Sequence, residues 1–141
     1  MSASHDNESH PTERAIATRW TKKIAAAGWT PIASVFLTNI GRLRPHPGAR
    51  GLTPTEALTL IQIISFKWDD GLPFPAITTM ADRMGRSPRQ VRAAIKSLED
   101  SGYLKRIPSA FGGANKYDLT GLYVALEALM DEQTDKAEVA A

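Results

Sequence analysis

Hydrophobic residues recur with helical spacing in separate segments of the chain, divided by polar or Pro/Gly-rich stretches. Apolar positions three and four residues apart form one face of an amphipathic helix. This spacing predicts helices over residues 12–27, 53–68, 76–84, 87–100 and 120–133. Residues 31–43 are apolar in their first half and fit either a strand or a short helix.

Two of these segments begin with the same capping pattern, Thr-Pro-Thr-Glu at residues 53–56 and Ser-Pro-Arg-Gln at residues 87–90. In a capping box the first hydroxyl accepts a hydrogen bond from the backbone amide three residues later, and that residue's side chain reaches back. Proline suits the first helical position because its missing N–H would have no partner there. The pattern therefore predicts that these two helices begin at Pro54 and Pro88.

Strand signals are short. Residues 103–107 and 116–119 have strand composition and flank a loop with two glycines, which predicts a hairpin. Residues 72–75 carry two prolines and can form only an edge strand. The predicted fold is mainly α with a small β-hairpin (α+β), in the order helix, short strand, helix, sharp turn, helix, hairpin.

The stretch ITTMADRMGRSPRQVRAAIKSLEDSGYLKR resembles the helix-turn-helix of GntR-type bacterial proteins. The upstream stretches GWTPIASVFL, LTPTEALTLIQIISF and WDDGLPFP are similar to the N-terminal domains of phage and plasmid replication initiators. Together the resemblance spans about residues 29–119. It implies a winged helix-turn-helix that binds double-stranded DNA, to which the helical spacing adds an N-terminal and a C-terminal helix. The positions that match the GntR-type pattern are Gly85, Ser87, Val91, Ala94, Ile95, Leu98, Gly102, Tyr103 and Leu104.

The predicted organisation has five parts. A disordered tail over residues 1–11 precedes an N-terminal helix and an apolar, Pro/Gly-rich lead-in over residues 12–52. The winged helix-turn-helix occupies residues 53–119 and a C-terminal helix residues 120–133. A disordered acidic tail covers residues 134–141.

In the third helix of the predicted helix-turn-helix, the apolar residues on one side are predicted to face the core: Val91, Ala94, Ile95 and Leu98. The other positions of the helix then face solvent. An α-helix fits the major groove of DNA, and recognition helices use their N-terminal residues on base edges. Arginine suits guanine, glutamine suits adenine, and an alanine methyl can meet a thymine methyl. The residues predicted to contact bases are Arg89, Gln90, Arg92, Ala93 and Lys96. The alternative is a purely solvated face.

Phosphate contacts are predicted at the turn and along the hairpin, by Arg83, Arg86, Ser87, Lys105, Arg106 and Lys116. Arg83 has an alternative role in an ion pair with a nearby carboxylate. Two interpretations stay open for Phe111 in the hairpin loop. The loop contacts the minor groove or phosphates, or Phe111 folds back onto the core.

Charge supports an anionic partner through its placement. The chain carries 17 Lys and Arg against 15 Asp and Glu, which is close to neutral. Residues 13–52 nevertheless carry seven basic side chains and one acidic one, and residues 76–106 carry seven and three. Acidic side chains gather at the ends, five of them within residues 127–141. A basic body of this kind attracts nucleic acid.

Composition argues against catalysis, metal binding and membrane insertion. The chain has no cysteine, and its three histidines lie in the tail or the Pro/Gly loop without metal-ligand spacing. No phosphate-cradling glycine loop or nucleophile motif occurs. Polar residues break every apolar run well before about 18 residues. We expect a cytoplasmic protein from a bacterial, phage or plasmid context, nucleoid-associated when bound, that is not an enzyme and needs no cofactor.

Two possible dimer contacts are predicted. One is a seam on the C-terminal helix through Leu122, Leu126 and Leu129, for which packing in the protein's own core is the alternative. The other is the N-terminal helix, whose apolar face includes Trp20 beside basic residues that could instead contact the DNA backbone. For Trp20 we favour packing within its own domain.

The predicted function is sequence-specific binding of double-stranded DNA in transcriptional regulation. Origin recognition by a replication initiator is the alternative within DNA binding. An initiator usually has a further domain to recruit helicase, and we expect none here, which favours a regulator. A protein-interaction adaptor with a winged-helix fold is the alternative of another class.

Overall fold

The computed structural model describes residues 14–46 and 48–140. The described residues fall into two compact units, divided after Pro31. The predicted tail over residues 1–11 and the start of the first predicted helix lie outside the described residues.

The first unit contains two short helices, α1 over residues 14–20 and α2 over Lys22–Ala26. The prediction of one continuous helix over residues 12–27 is wrong, because the backbone breaks at Thr21 with a φ of 116°. The Thr21 hydroxyl accepts a hydrogen bond from the Ile24 amide at 3.2 Å and so caps α2. Threonine favours this N-cap position over a helix interior.

The apolar face of the first unit is open to solvent. Trp20 is 61% exposed and Ile24 is 50% exposed. Our interpretation that Trp20 packs within its own domain is therefore wrong.

The second unit holds most of the regular structure. The ambiguous segment over residues 31–43 forms a short helix and one 3₁₀ turn. The elements follow in the order α3 (Ser34–Thr38), the 3₁₀ turn (Ile40–Arg42), α4 (Pro54–Ile64), α5 (Ile77–Met84), α6 (Pro88–Asp100), β1 (Lys105–Ile107), β2 (Lys116–Asp118) and α7 (Thr120–Ala140).

Helix α4 lies at the centre of this unit and begins at the predicted capping box. The Thr53 hydroxyl accepts from the Glu56 amide at 3.2 Å, and the Glu56 carboxylate accepts from the Thr53 amide at 2.8 Å. Leu60 and Ile63 are completely buried against α5 and α6. The helix ends at Ile64 and is shorter than the predicted helix over residues 53–68. Trp68, at the end of that predicted helix, lies beyond α4 and is 86% exposed.

The turn between α5 and α6 is built around Gly85. Its φ of 64° and ψ of 35° are left-handed, a conformation that glycine adopts without the steric cost of a Cβ atom. The Arg86 amide donates to the Ala81 carbonyl at 3.0 Å and closes the end of α5. Helix α6 then starts only three residues after Gly85, as the sequence predicts.

Strands β1 and β2 pair antiparallel, with Arg106 opposite Tyr117. The predicted strand over residues 72–75 is not formed. Its prolines have no N–H to donate, and a single backbone hydrogen bond from the Tyr117 amide to the Pro73 carbonyl, at 2.9 Å, links this segment to the hairpin.

Helix α7 completes the core. Leu122 and Leu126 are buried among residues of the same unit, and Leu129 packs against them. Leu122 and Leu126 are therefore unavailable for the predicted dimer seam, and the alternative role of these side chains in the protein's own core is the one the structure adopts.

Helix α7 also continues to Ala140, through residues predicted as a disordered tail. The segment after residue 133 is rich in alanine and charged helix formers. Lys136 pairs with Glu132 one turn earlier at 3.1 Å. The C-terminal boundary at residue 133 is corrected accordingly.

Candidate nucleic-acid interface

Helix α6 is positioned by its local sequence and by its buried face. The Ser87 hydroxyl accepts from the Gln90 amide at 3.1 Å, and the Gln90 side-chain oxygen accepts from the Ser87 amide at 2.9 Å. The predicted inward set is confirmed, since all four members are buried: Val91, Ala94, Ile95 and Leu98. They pack towards α4 and α5, so the opposite side of α6 faces solvent.

We call this exposed side the recognition face, defined by Arg89, Arg92, Ala93 and Lys96. Within the described part of the chain, the guanidinium groups of Arg89 and Arg92 have no ion-pair or hydrogen-bond partner. Lys96 pairs with Asp100 at 3.2 Å, but both side chains are largely exposed. Such pairs contribute little, about 0–1 kcal/mol, so Lys96 can exchange this partner for another anion.

Gln90 differs from the other residues predicted to contact bases. Its side-chain oxygen is the acceptor in the capping box. Reading adenine with a glutamine requires both the oxygen and the amino group. A base contact by Gln90 would therefore share the oxygen that holds the cap.

The turn before α6 carries the predicted phosphate contacts Arg83, Arg86 and Ser87. The Arg83 guanidinium lies 4.6 Å from the centre of the Phe66 ring, a cation–π contact in place of the ion pair considered as its alternative. Arg86 is exposed. The Ser87 hydroxyl is the α6 cap and can still accept or donate to a second group.

We call β1, β2 and the loop over residues 108–115 the wing. Arg106 faces α6, where its backbone amide donates to Glu99 at 3.1 Å and its guanidinium lies 3.7 Å from the same carboxylate. Glu99 thus ties the wing to the recognition helix. Lys105 stands opposite Asp118 on the other face of the hairpin, and Lys116 stands opposite Ile107.

Hydrogen bonds at the end of β2 make Asp118 a stable anion. Its carboxylate accepts from the Thr120 hydroxyl and from the Thr120 amide. These bonds, together with the positive charge of Lys105, lower the pKa of Asp118. Asp118 therefore offsets the charge of Lys105 electrostatically at neutral pH, whereas Lys116 has no ion-pair partner among the described residues.

Phe111 projects from the wing and is 99% exposed. The alternative that it folds back onto the core is wrong.

One polar cluster beside the recognition helix escaped the sequence analysis. The Arg50 guanidinium binds both carboxylate oxygens of Glu56, at 2.9 and 3.0 Å, and donates to the Ser97 hydroxyl on α6 at 2.9 Å. Arg50 therefore joins the Pro/Gly loop, the start of α4 and the middle of α6. The capping box identified Glu56, but no periodicity marks an arginine that lies in a loop.

The electrostatics of this cluster follow from its geometry. Burial by itself raises the pKa of Glu56, but hydrogen bonds from Arg50, Ser97 and Thr53 outweigh burial and hold that pKa at about 2. The ionised carboxylate in turn raises the pKa of Arg50. At neutral pH the cluster is a charged pair that restrains α6.

The described residues contain neither a metal-ligand cluster nor a helix that could span a membrane. Over residues 14–46 and 48–140, no group of three or more His, Asp or Glu side chains lies close enough to hold a metal ion. None of the helices in that part of the chain is long and apolar enough to cross a membrane.

The segment that carries this site is similar in sequence to a known family. Residues 50–104 match a family model described as a helix-turn-helix domain. Comparison with curated proteins finds no match. The matched residues include α4, α5 and α6, and the antiparallel hairpin follows directly after them. The second unit thus contains a helix-turn-helix domain with a wing, a winged helix-turn-helix, and this domain supports a role in DNA binding.

Proposed function

We propose that the protein binds double-stranded DNA sequence-specifically, with α6 in the major groove, and regulates transcription. The observation that carries the proposal is the recognition face, where Arg89 and Arg92 are exposed and have no partner among the described residues. Arg89 lies in the first turn of α6, where positive charge opposes the helix dipole by about 0.3–1 kcal/mol. An anion beside it removes this cost.

The roles of individual residues follow from their positions. Arg89 and Arg92 are the proposed base readers, and Ala93, one turn after Arg89, is placed to meet a thymine methyl. Arg86 and Lys116 contact phosphates on either side of the helix. Gln90 keeps the α6 cap and so acts by holding the helix terminus.

Regulation of transcription is the simplest process that such a domain supports. A protein that occupies a specific site can exclude polymerase from an overlapping promoter without any catalytic group. Binding at a replication origin would use the same face, so the arrangement of the target sites must separate the two processes.

Selection from a random pool of duplexes tests the proposal. We expect enrichment of a defined sequence, as a single or palindromic site for a regulator. Tandem repeats would favour an initiator. No enrichment, together with no retardation of any duplex at low salt, would overturn DNA binding and favour a protein-interaction adaptor.

Substitution of Arg92 tests the proposed base reader. We expect Arg92→Ala to weaken binding to the selected duplex by about 1–3 kcal/mol and to relax the preference at one position. Lys136→Ala is the matched control, because it removes an exposed cation from α7. If Arg92→Ala weakens all sequences alike and makes the salt slope shallower by about one, Arg92 contacts a phosphate instead.

Salt dependence provides an independent measure of the interface. If about six to eight basic side chains reach phosphates, the logarithm of affinity should fall with the logarithm of salt at a slope of about −5 to −7. Affinity that does not change with salt would contradict the proposal.

A further inference from the structure

The wing loop has an unusual composition for a segment that approaches a polyanion. Residues 108–115 contain no charged side chain, and apart from Phe111 they are proline, serine, asparagine, alanine or glycine. Phe111 is the one large side chain in the loop and is 99% exposed. The charged side chains of the wing lie on β1 and β2 and not in the loop that joins the two strands.

The loop also has an internal support that shapes its tip. The Ser109 hydroxyl accepts hydrogen bonds from the Phe111 amide at 3.4 Å and from the Gly113 amide at 3.2 Å. These bonds close a turn around the serine side chain. The Phe111 ring is left on the outside of that turn, away from the core.

The chemistry of this tip does not suit phosphates. Phosphate oxygens are contacted by cations and by polar donors, and the Phe111 ring supplies neither. Small neighbours such as Ala110 and Gly112 allow the backbone to come close to another surface. Proteins that enter the minor groove use apolar side chains of this kind as wedges between base steps.

We propose that Phe111 inserts into the minor groove beside the site read by α6 and partly unstacks a base step there. This inference rests on the proposed function. Lys116 would hold the adjacent backbone while the ring acts on the bases. The wing would then favour sequences in which two neighbouring base pairs unstack easily, and pyrimidine–purine steps unstack most easily.

Binding measurements on the duplex selected by the wild-type protein test the wedge. We expect Phe111→Ala to weaken binding about 5- to 150-fold, the range found when an aromatic residue that stacks on a base is removed. The salt slope should not change, because the ring carries no charge. Lys116→Ala should instead make the slope shallower by about one. Trp68→Ala is the matched control, an aromatic side chain that is 86% exposed outside the wing.

A fluorescent base reports the unstacking directly. With 2-aminopurine in place of single adenines near the edge of the selected site, wild-type protein should raise the fluorescence at one step, and Phe111→Ala should not. Equal affinity of the two proteins, or no fluorescence change at any tested step, would overturn the wedge. If wild-type protein binds no duplex, the proposed function itself fails.

Discussion

The contact between Arg50 and Glu56 gives the sharpest test of how this domain holds its recognition helix. Glu56 is 4% exposed, whereas the Arg50 side chain is 58% exposed. Arg50→Ala therefore leaves a buried carboxylate that has lost its cation and two of its hydrogen bonds. A buried charge without its partner is costly, and exposure of the arginine limits that cost.

The magnitude follows from the pKa of Glu56. That pKa lies at about 2 in the folded protein, against 4.5 as its ordinary value. Each pKa unit corresponds to about 1.4 kcal/mol, so the ionised carboxylate contributes up to about 3 kcal/mol at neutral pH. Bonds from Thr53 and Ser97 remain in the variant, and we expect Arg50→Ala to cost about 2 kcal/mol.

The pH dependence has a defined direction. Because the folded pKa of Glu56 is below the unfolded one, its contribution is complete above about pH 5 and falls as the pH drops from 4.5 towards 2. Other carboxylates titrate alike in both proteins. The stability difference between wild type and Arg50→Ala should therefore shrink by about 40%, from about 2 to about 1.2 kcal/mol, between pH 7 and pH 3.

Urea unfolding followed by circular dichroism at both pH values measures this difference. Arg44→Ala is the matched control, because among the described residues the Arg44 guanidinium donates to the backbone carbonyls of Gly41 and Leu43 and to no carboxylate. Its effect should not depend on pH in this way. A cost below about 0.5 kcal/mol, or a difference that is equal at both pH values, would refute the reasoning.

Two further substitutions test the packing of α7. A Cβ atom at Gly121 would overlap the Gly102 carbonyl oxygen, so Gly121→Ala should destabilise the fold by at least about 2 kcal/mol, measured by urea unfolding. Gly41→Ala, where a Cβ atom meets nothing within 4 Å, should be tolerated, and equal effects of the two would contradict the packing. Leu126→Ala should cost about 2–4 kcal/mol through a cavity in the core. The melting temperature of the wild-type protein should not depend on protein concentration, and a rise with concentration that Leu126→Ala abolishes would restore the dimer seam.

Local signals predicted the helix-turn-helix well. The capping boxes at Thr53 and Ser87 formed as expected, because each needs only residues within one turn of the chain. The inward face of α6 also followed from spacing alone, since the helix has room for one apolar side. The same reasoning placed Arg89 and Arg92 on the exposed side.

Errors arose where a local signal had two outcomes of similar free energy. Thr21 could continue a helix or cap a new one, and it caps α2. The alanine-rich segment after residue 133 had too little hydrophobicity to predict a helix, yet its intrinsic propensity extends α7 to Ala140. The two prolines near residue 74 permitted a strand without requiring one.

Local sequence was enough to predict helices α4, α5 and α6, the residues at which α4 and α6 begin, and the side of α6 on which Arg89 and Arg92 are exposed. Those features depend on side chains a few residues apart. Three contacts depend on the folded arrangement of the chain: Arg50 binds Glu56 and Ser97, Glu99 anchors the wing, and Leu126 packs in its own core. Each of these contacts joins segments that the backbone brings together only after folding, so no spacing along the chain could predict them.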